Sequence, residues 1–189
     1  MNLPYKVLFA NLWLTEGLLK NVLSAEAGTN ALIRSTTAPT ILRGGVKDNV
    51  LPTTAVAKVN FRILPGENIN SVKNYVEKII NDKRITVKMD EASACDPSKI
   101  SGTNTFGYQV IQKSVQQIFP EVVVAPSLVI GATDSRHYAE VSEHIYRFMP
   151  IAISKSELGG FHGINERLSI DNYKQMIRFY RQLILNSCM

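Results

Sequence analysis

The chain has 189 residues, 45% of them hydrophobic and 20% charged, which are ordinary proportions for a globular protein of one large domain or two small ones. That apolar content excludes wholesale disorder. Its longest apolar runs, residues 122–125 and 128–130, are far shorter than the roughly 20 residues of a membrane-spanning helix. Lys and Arg number 21 against 16 Asp and Glu, a formal charge of +5. The basic residues are scattered along the chain without a run, which reads as a solvated surface, so no nucleic-acid or membrane partner is expected.

Cys95 and Cys188 are the two cysteines. They cannot make a disulfide framework, and neither has a second cysteine at metal-binding spacing. Residues 1–6 hold no charged segment followed by an apolar stretch, so no signal peptide is expected.

In chain order, residues 8–23 read as a helix, with Leu12, Leu14, Leu18, Leu19 and Leu23 approximating one apolar face. A Gly28-Thr29-Asn30 loop precedes a strand over 32–42 that is rich in Thr and Ile. Gly44-Gly45 and Pro52 bracket a loop. Residues 54–64 then alternate. Ala55, Ala57, Val59, Phe61 and Ile63 point one way, and Thr54, Val56, Lys58, Asn60 and Arg62 the other. Pro65-Gly66 stops the strand. A helix over 68–81 places Ile69, Val72, Val76, Ile79 and Ile80 together. Ile85, Val87 and Met89 are in phase for a short strand. This half reads as α-β-β-α-β, an antiparallel sheet covered on one side.

Residues 92–102 lack periodicity and mark a boundary. A helix over 104–119 is stopped by Pro120. The near-continuous apolar run 122–130 suits a strand buried on both faces, although Pro126 implies an edge or a bulge. Gly131 breaks it, and Thr133, Asp134 or Ser135 is placed to cap a following helix. Residues 144–149 read as another strand and 155–168 as a glycine-containing loop. A last helix starts after Ser169, striped by Tyr173, Met176, Ile177, Tyr180, Leu183 and Ile184. The second half reads as α-β-α-β-α.

The fold class is therefore α/β: an α+β unit with an antiparallel sheet and two helices, followed by part of an α/β domain.

Candidate chemistry concentrates at strand ends and glycine loops. Gly131-Ala132-Thr133-Asp134-Ser135-Arg136-His137-Tyr138 sits where a buried strand meets a helix, the usual ligand position in α/β folds. Helix N–H groups and the Arg136 guanidinium would both suit an anion. An ordinary capped turn explains the same residues. Gly160-Phe161-His162-Gly163 sets a histidine in a loop whose glycines permit close backbone approach to a metal or substrate. With histidines only at 137, 144 and 162, no complete metal site is visible, since zinc takes three or four protein ligands.

Arg62, on the polar strand face, is a candidate grip for a carboxylate, or a solvated residue. Asn49 is a candidate substrate contact, or a turn residue. His144 reads as structural, and Lys174, Arg178 and Arg181 as a solvated stripe. No nucleophile elbow, phosphate loop or dinucleotide fingerprint occurs.

Four segments follow in order: Gly45-Val46-Lys47-Asp48-Asn49-Val50-Leu51-Pro52, Val59-Asn60-Phe61-Arg62-Ile63-Leu64-Pro65-Gly66, the motif from Gly131 to Tyr138, and Phe161-His162-Gly163-Ile164-Asn165-Glu166-Arg167-Leu168-Ser169. Together they resemble the dizinc metallopeptidases that include carboxypeptidase S, acetylornithine deacetylase, succinyl-diaminopimelate desuccinylase and carnosinase. The closest likeness is to the carboxypeptidase S branch.

The resemblance implies that residues 1–98 form most of a lid and dimerisation domain whose first strand is missing. It implies that residues 102–189 form the C-terminal segment of the catalytic domain. In the parent enzyme, two zinc ions would polarise an amide carbonyl and activate a water. His162 would bind one zinc, and the other ligands and the glutamate base lie outside this chain. Arg62 or Arg136 would hold the carboxylate of a peptide or N-acyl amino acid. Asn49 would touch substrate from the lid, and Gly131, Ala132 and Thr133 would line the cleft.

The expectation is a fragment of a zinc-dependent carboxypeptidase or amidohydrolase that is inactive alone, binds no zinc stably and forms a homodimer through its lid. A non-catalytic dimerising module and a degenerate homologue stay open as alternatives.

Overall fold

Asn11 interrupts what the leucine pattern predicts as one helix. In the computed structural model, which describes residues 3–154, 157, 159–160 and 163–188, helices α1 (Leu3–Ala10) and α2 (Leu12–Ser24) flank it. The Asn11 side-chain amide donates to the Val7 carbonyl at 2.8 Å, the local competition with the helix ladder that makes asparagine a poor interior residue. A single turn, α3 (Ala27–Asn30), follows.

The chain divides into two compact units, Met1–Lys99 and Ile100–Met189. In the first, β1 (Thr36–Gly44) and β2 (Ala55–Arg62) form an antiparallel ribbon. It is paired from Thr36 with Arg62 at one end to Gly44 with Ala55 at the other, with a register shift between Pro39 and Ile41. Proline donates nothing to a ladder and sits at edges and bulges. Gly45, at φ +72, opens the turn with a backbone conformation that side chains disfavour.

Helix α4 (Ile69–Ile80) is closed by a reciprocal cap. The Ser71 amide donates to Asn68 Oδ1 at 2.9 Å, and the Asn68 amide donates to Ser71 Oγ at 3.0 Å. It ends at Asn81 in the left-handed region (φ 44).

The second unit is organised by α5 (Phe106–Ile118) and α6 (Ile170–Cys188), which pack on each other. Their contact holds Val110, Ser114, Val115 and Phe179, the last only 1% exposed. The Phe179 ring stacks at a tilt on Phe148, with centroids 5.1 Å apart. Ser114 Oγ, fully buried, donates to the Val110 carbonyl (2.8 Å) and accepts from Asn186 Nδ2 (2.9 Å), which also donates to Gln117 Oε1 (2.8 Å). A polar latch thus joins the two helices across an apolar contact. A 3-10 helix, Asp134–Glu140, lies between α5 and α6 in the chain.

Three expected strands, 85–89, 122–130 and 144–149, carry no ladder partner among the described residues. Their sequence pattern is right for strands, but a strand exists only against a neighbour that takes its N–H and C=O groups. The expectation of a run buried on both faces at 122–130 is corrected by exposure. Val123 and Ile130 stand at least half open. The expected one-sided covering of the first unit's sheet is corrected too. Along β2 every residue but Phe61 is exposed, and no described residue of that unit is buried. The mixed helix-and-strand class itself is observed.

Candidate functional site

The turn after the 122–130 run is fixed by side chains. Thr133 caps the 3-10 helix, its Oγ1 accepting from the Ser135 amide at 3.3 Å, and the two hydroxyls meet at 2.5 Å. Arg147 Nε donates to Ser135 Oγ at 2.6 Å and to Thr133 Oγ1 at 3.3 Å. Gly131, Ala132, Thr133 and Arg136 are all exposed, while Arg147 is half-buried. Arg136 Nε donates to His137 Nε2 at 3.3 Å. The four candidate residues in this segment thus share one exposed turn that offers backbone amides and a guanidinium.

The segment that carries Arg147 is itself tied down. Ser101 Oγ donates to the Ile145 carbonyl (3.0 Å) and accepts from the Ile145 amide (2.8 Å). The Tyr146 hydroxyl donates to the Gly102 carbonyl at 2.5 Å and pairs with the Thr105 hydroxyl. Gly107 leaves room for the Tyr146 ring on α5: a Cβ there would stand 3.1 Å from it. His144 accepts from the Gly102 amide at 3.4 Å, so its place is structural.

In the other unit, Asn49 lies in the exposed turn between β1 and β2, and Arg62 ends β2, also exposed. They sit at opposite ends of the ribbon. At ~3.3 Å per residue, the Ala55–Arg62 strand separates them by about 23 Å. One small carboxylate cannot touch both. A cavity of about 340 Å³ in this unit is lined by Glu77, Ile80 and neighbours from the end of α4 onward and includes neither residue.

His162 lies outside the described residues. Among the described residues, no group of three or more His, Cys, Asp or Glu side chains is gathered to hold a metal ion. The donor set for zinc is therefore not met by the described residues, since zinc needs at least three protein ligands. Asn172 clasps the chain: its Oδ1 accepts from the Ala152 amide and its Nδ2 donates to the Ala152 carbonyl, each at 2.9 Å.

Residues 10–87 match the peptidase dimerisation domain family. The chain is 43% identical over 98% of its length to the probable carboxypeptidase S-like 2 of Dictyostelium discoideum. It is 46% identical over 97% to the N-fatty-acyl-amino acid synthase/hydrolase PM20D1.1 of Danio rerio. The chain belongs to the M20 peptidase family, on its carboxypeptidase S branch. Carboxypeptidase S of Saccharomyces cerevisiae is more distant, at 26% identity over 89% of the chain. The chain spans 36% of the length of each of the first two relatives and 34% of the third. No solved structure matches.

Sequence reasoning singled out the turn that begins at Gly131 and named Ser135 only as a candidate cap, and it gave no role to Tyr146 or Arg147. The signal was present. Arg147 stands between Tyr146 and Phe148 in a run read as a strand, and a charge in such a run needs partners.

Proposed function

We propose that this chain supplies the lid and the C-terminal catalytic segment of an M20 hydrolase that cleaves the amide bond of N-acyl amino acids or peptides, and that it is inactive by itself. The observation that carries the reading is the likeness over 97–98% of the chain to carboxypeptidase S-like and N-fatty-acyl-amino acid relatives. The higher identity to the latter than to yeast carboxypeptidase S favours N-acyl amino acids. The absence of any buried residue among those described in Met1–Lys99 supports a unit whose apolar faces are covered by more protein. The dimerisation-domain match supports a homodimer through the lid.

Within this reading, His162 serves the metal as one ligand of a site completed elsewhere. The zinc, when bound, supplies Lewis acidity and a nucleophilic water. What the chain's own described residues do is bind and orient. Arg136 pairs with the carboxylate of the amino acid being released, because a guanidinium fork matches a carboxylate. The backbone at Gly131, Ala132 and Thr133 lines the cleft, with its N–H groups facing the scissile segment. Asn49 meets the substrate from the lid. Arg62, at the far end of its ribbon, is the second candidate for the carboxylate.

The test uses the full-length protein and an N-acyl amino acid. Arg136→Ala should raise KM by about 30-fold, the loss of one charge-assisted pair, with kcat nearly unchanged. If Arg136→Ala leaves KM alone and Arg62→Ala raises it, the carboxylate belongs to Arg62. If neither moves KM, the carboxylate assignment fails.

A further inference from the structure

We propose that Arg147 is a positioning residue for substrate recognition: it bolts the Thr133–Arg136 turn to the second unit's packed helices, and so fixes where Arg136 meets a carboxylate. The inference rests on the reading of Arg136 just given.

Three links make the bolt. The first is the bifurcated hydrogen bond that Arg147 Nε donates to Ser135 Oγ (2.6 Å) and Thr133 Oγ1 (3.3 Å). Those hydroxyls also close the cap of the 3-10 helix, since the Ser135 amide donates to Thr133 Oγ1. One guanidinium N–H therefore holds both ends of the three-residue step that leads into Arg136. The second link is Tyr146, immediately before Arg147, which is clamped at the start of α5 through Gly102 and Thr105. The third is Phe148, immediately after it, whose ring packs on the buried Phe179 of α6. Arg147 is thus held on both sides by residues tied to α5 and α6. Its Nε reaches the turn.

The chemistry separates Arg147 from Arg136. Arg147 is half-buried and spends Nε on hydroxyls of its own chain. Arg136 is exposed, and its described bond is a long one to the adjacent His137. A residue that grips a ligand keeps its donors open, whereas one that sets geometry commits them. Displacement of a binding group by about 1 Å is enough to cost much of its effect on a bound substrate. The carboxylate partner would be the free acid end of an N-acyl amino acid, and an amide-capped analogue would not report on it.

The experiment is a double-mutant cycle in the full-length enzyme, read on a free-acid N-acyl amino acid and on its carboxamide analogue. Arg147→Gln should raise KM for the acid about tenfold while kcat stays within about twofold, the share lost when a charged hydrogen-bonding anchor is removed. The carboxamide should show no change. In the Arg136→Ala background, Arg147→Gln should add less than about twofold, since the two act through one contact. Arg147→Lys, which keeps the charge but not the planar fork, should rescue only part of the loss. Ser135→Ala, a milder change, should reproduce a smaller rise in KM and guards against a misfolded Arg147 variant.

Additive losses at 136 and 147 would overturn the inference. So would equal damage on acid and carboxamide, or full rescue by lysine. A wild-type enzyme that hydrolyses the acid while Arg147→Gln matches it overturns this inference alone. A wild-type enzyme that neither binds nor hydrolyses it overturns the proposed function as well.

Discussion

Replacing Phe179 with alanine should come close to unfolding the second unit. The side chain is 1% exposed and sits between α5 and α6 with its ring 5.1 Å from Phe148 and 5.5 Å from Tyr180. Truncating a buried phenylalanine costs about 3–5 kcal/mol, from lost transfer energy and the cavity left behind. Native stability is about 0.05–0.15 kcal/mol per residue. A unit spanning Ile100–Met189 therefore holds on the order of 5–13 kcal/mol. The truncation consumes from a quarter to nearly all of it. With a urea slope of about 1.5 kcal/mol/M, a loss of ~4 kcal/mol lowers the midpoint by about 2.7 M. Urea unfolding followed by far-UV circular dichroism reads the shift directly. Phe179→Leu should lose about a third as much, because most of the volume is kept. A midpoint for Phe179→Ala within about 0.5 M of the parent would mean that Phe179 is not the centre of this packing.

Two further outcomes follow from the polar contacts. Asn186→Ala removes the donor to Ser114 Oγ and Gln117 Oε1 and leaves a fully buried hydroxyl oxygen without its donor; a loss of about 1–3 kcal/mol in urea midpoint experiments is expected. A variant as stable as the parent would show that water replaces the latch. At Glu157, hydrogen bonds from the Ser154 side chain and then its backbone amide hold the carboxyl below its ordinary value, with a weaker attraction to Arg167. A depressed folded value means the contact is intact above the ordinary glutamate range and is lost as pH falls through the depressed value. Amide exchange at Ser154, corrected for its intrinsic pH dependence, should lose protection over that acidic window, and Glu157→Gln should flatten the profile.

How much of this was legible in the sequence depended on whether a residue's partners lie nearby in the chain. Helix α4 is readable to its ends. Asn68 caps it with Ser71, and Asn81 stops it by adopting the left-handed conformation that asparagine tolerates. Helix α5 is stopped just before Pro120, as the missing N–H requires. Strand β2 announces itself by alternation and finds its neighbour across the loop of residues 45–54.

Two of the failures come from partners distant in the chain, and one from a local bond. Residues 122–130 have the composition of a buried strand, but composition does not supply the adjacent strand, and the run is unpaired among the described residues and largely exposed. Asn11 broke a helix through a bond to Val7 that a leucine count ignores. At the candidate site, the turn from Gly131 to Arg136 could be found from its motif. The brace behind it could not, because Arg147 reaches Ser135 from 12 residues away.

The measurement that tests the central claim most directly is made on this chain alone: zinc content after metal saturation and desalting, together with hydrolysis of an N-acyl amino acid by the same sample. The account predicts neither retained zinc nor turnover, because His162 would be one ligand of a site completed by protein outside the chain and no described cluster supplies the rest. Near-stoichiometric zinc with measurable hydrolysis, both abolished by His162→Ala, would contradict it and show that a complete metal site forms within this chain or between its copies.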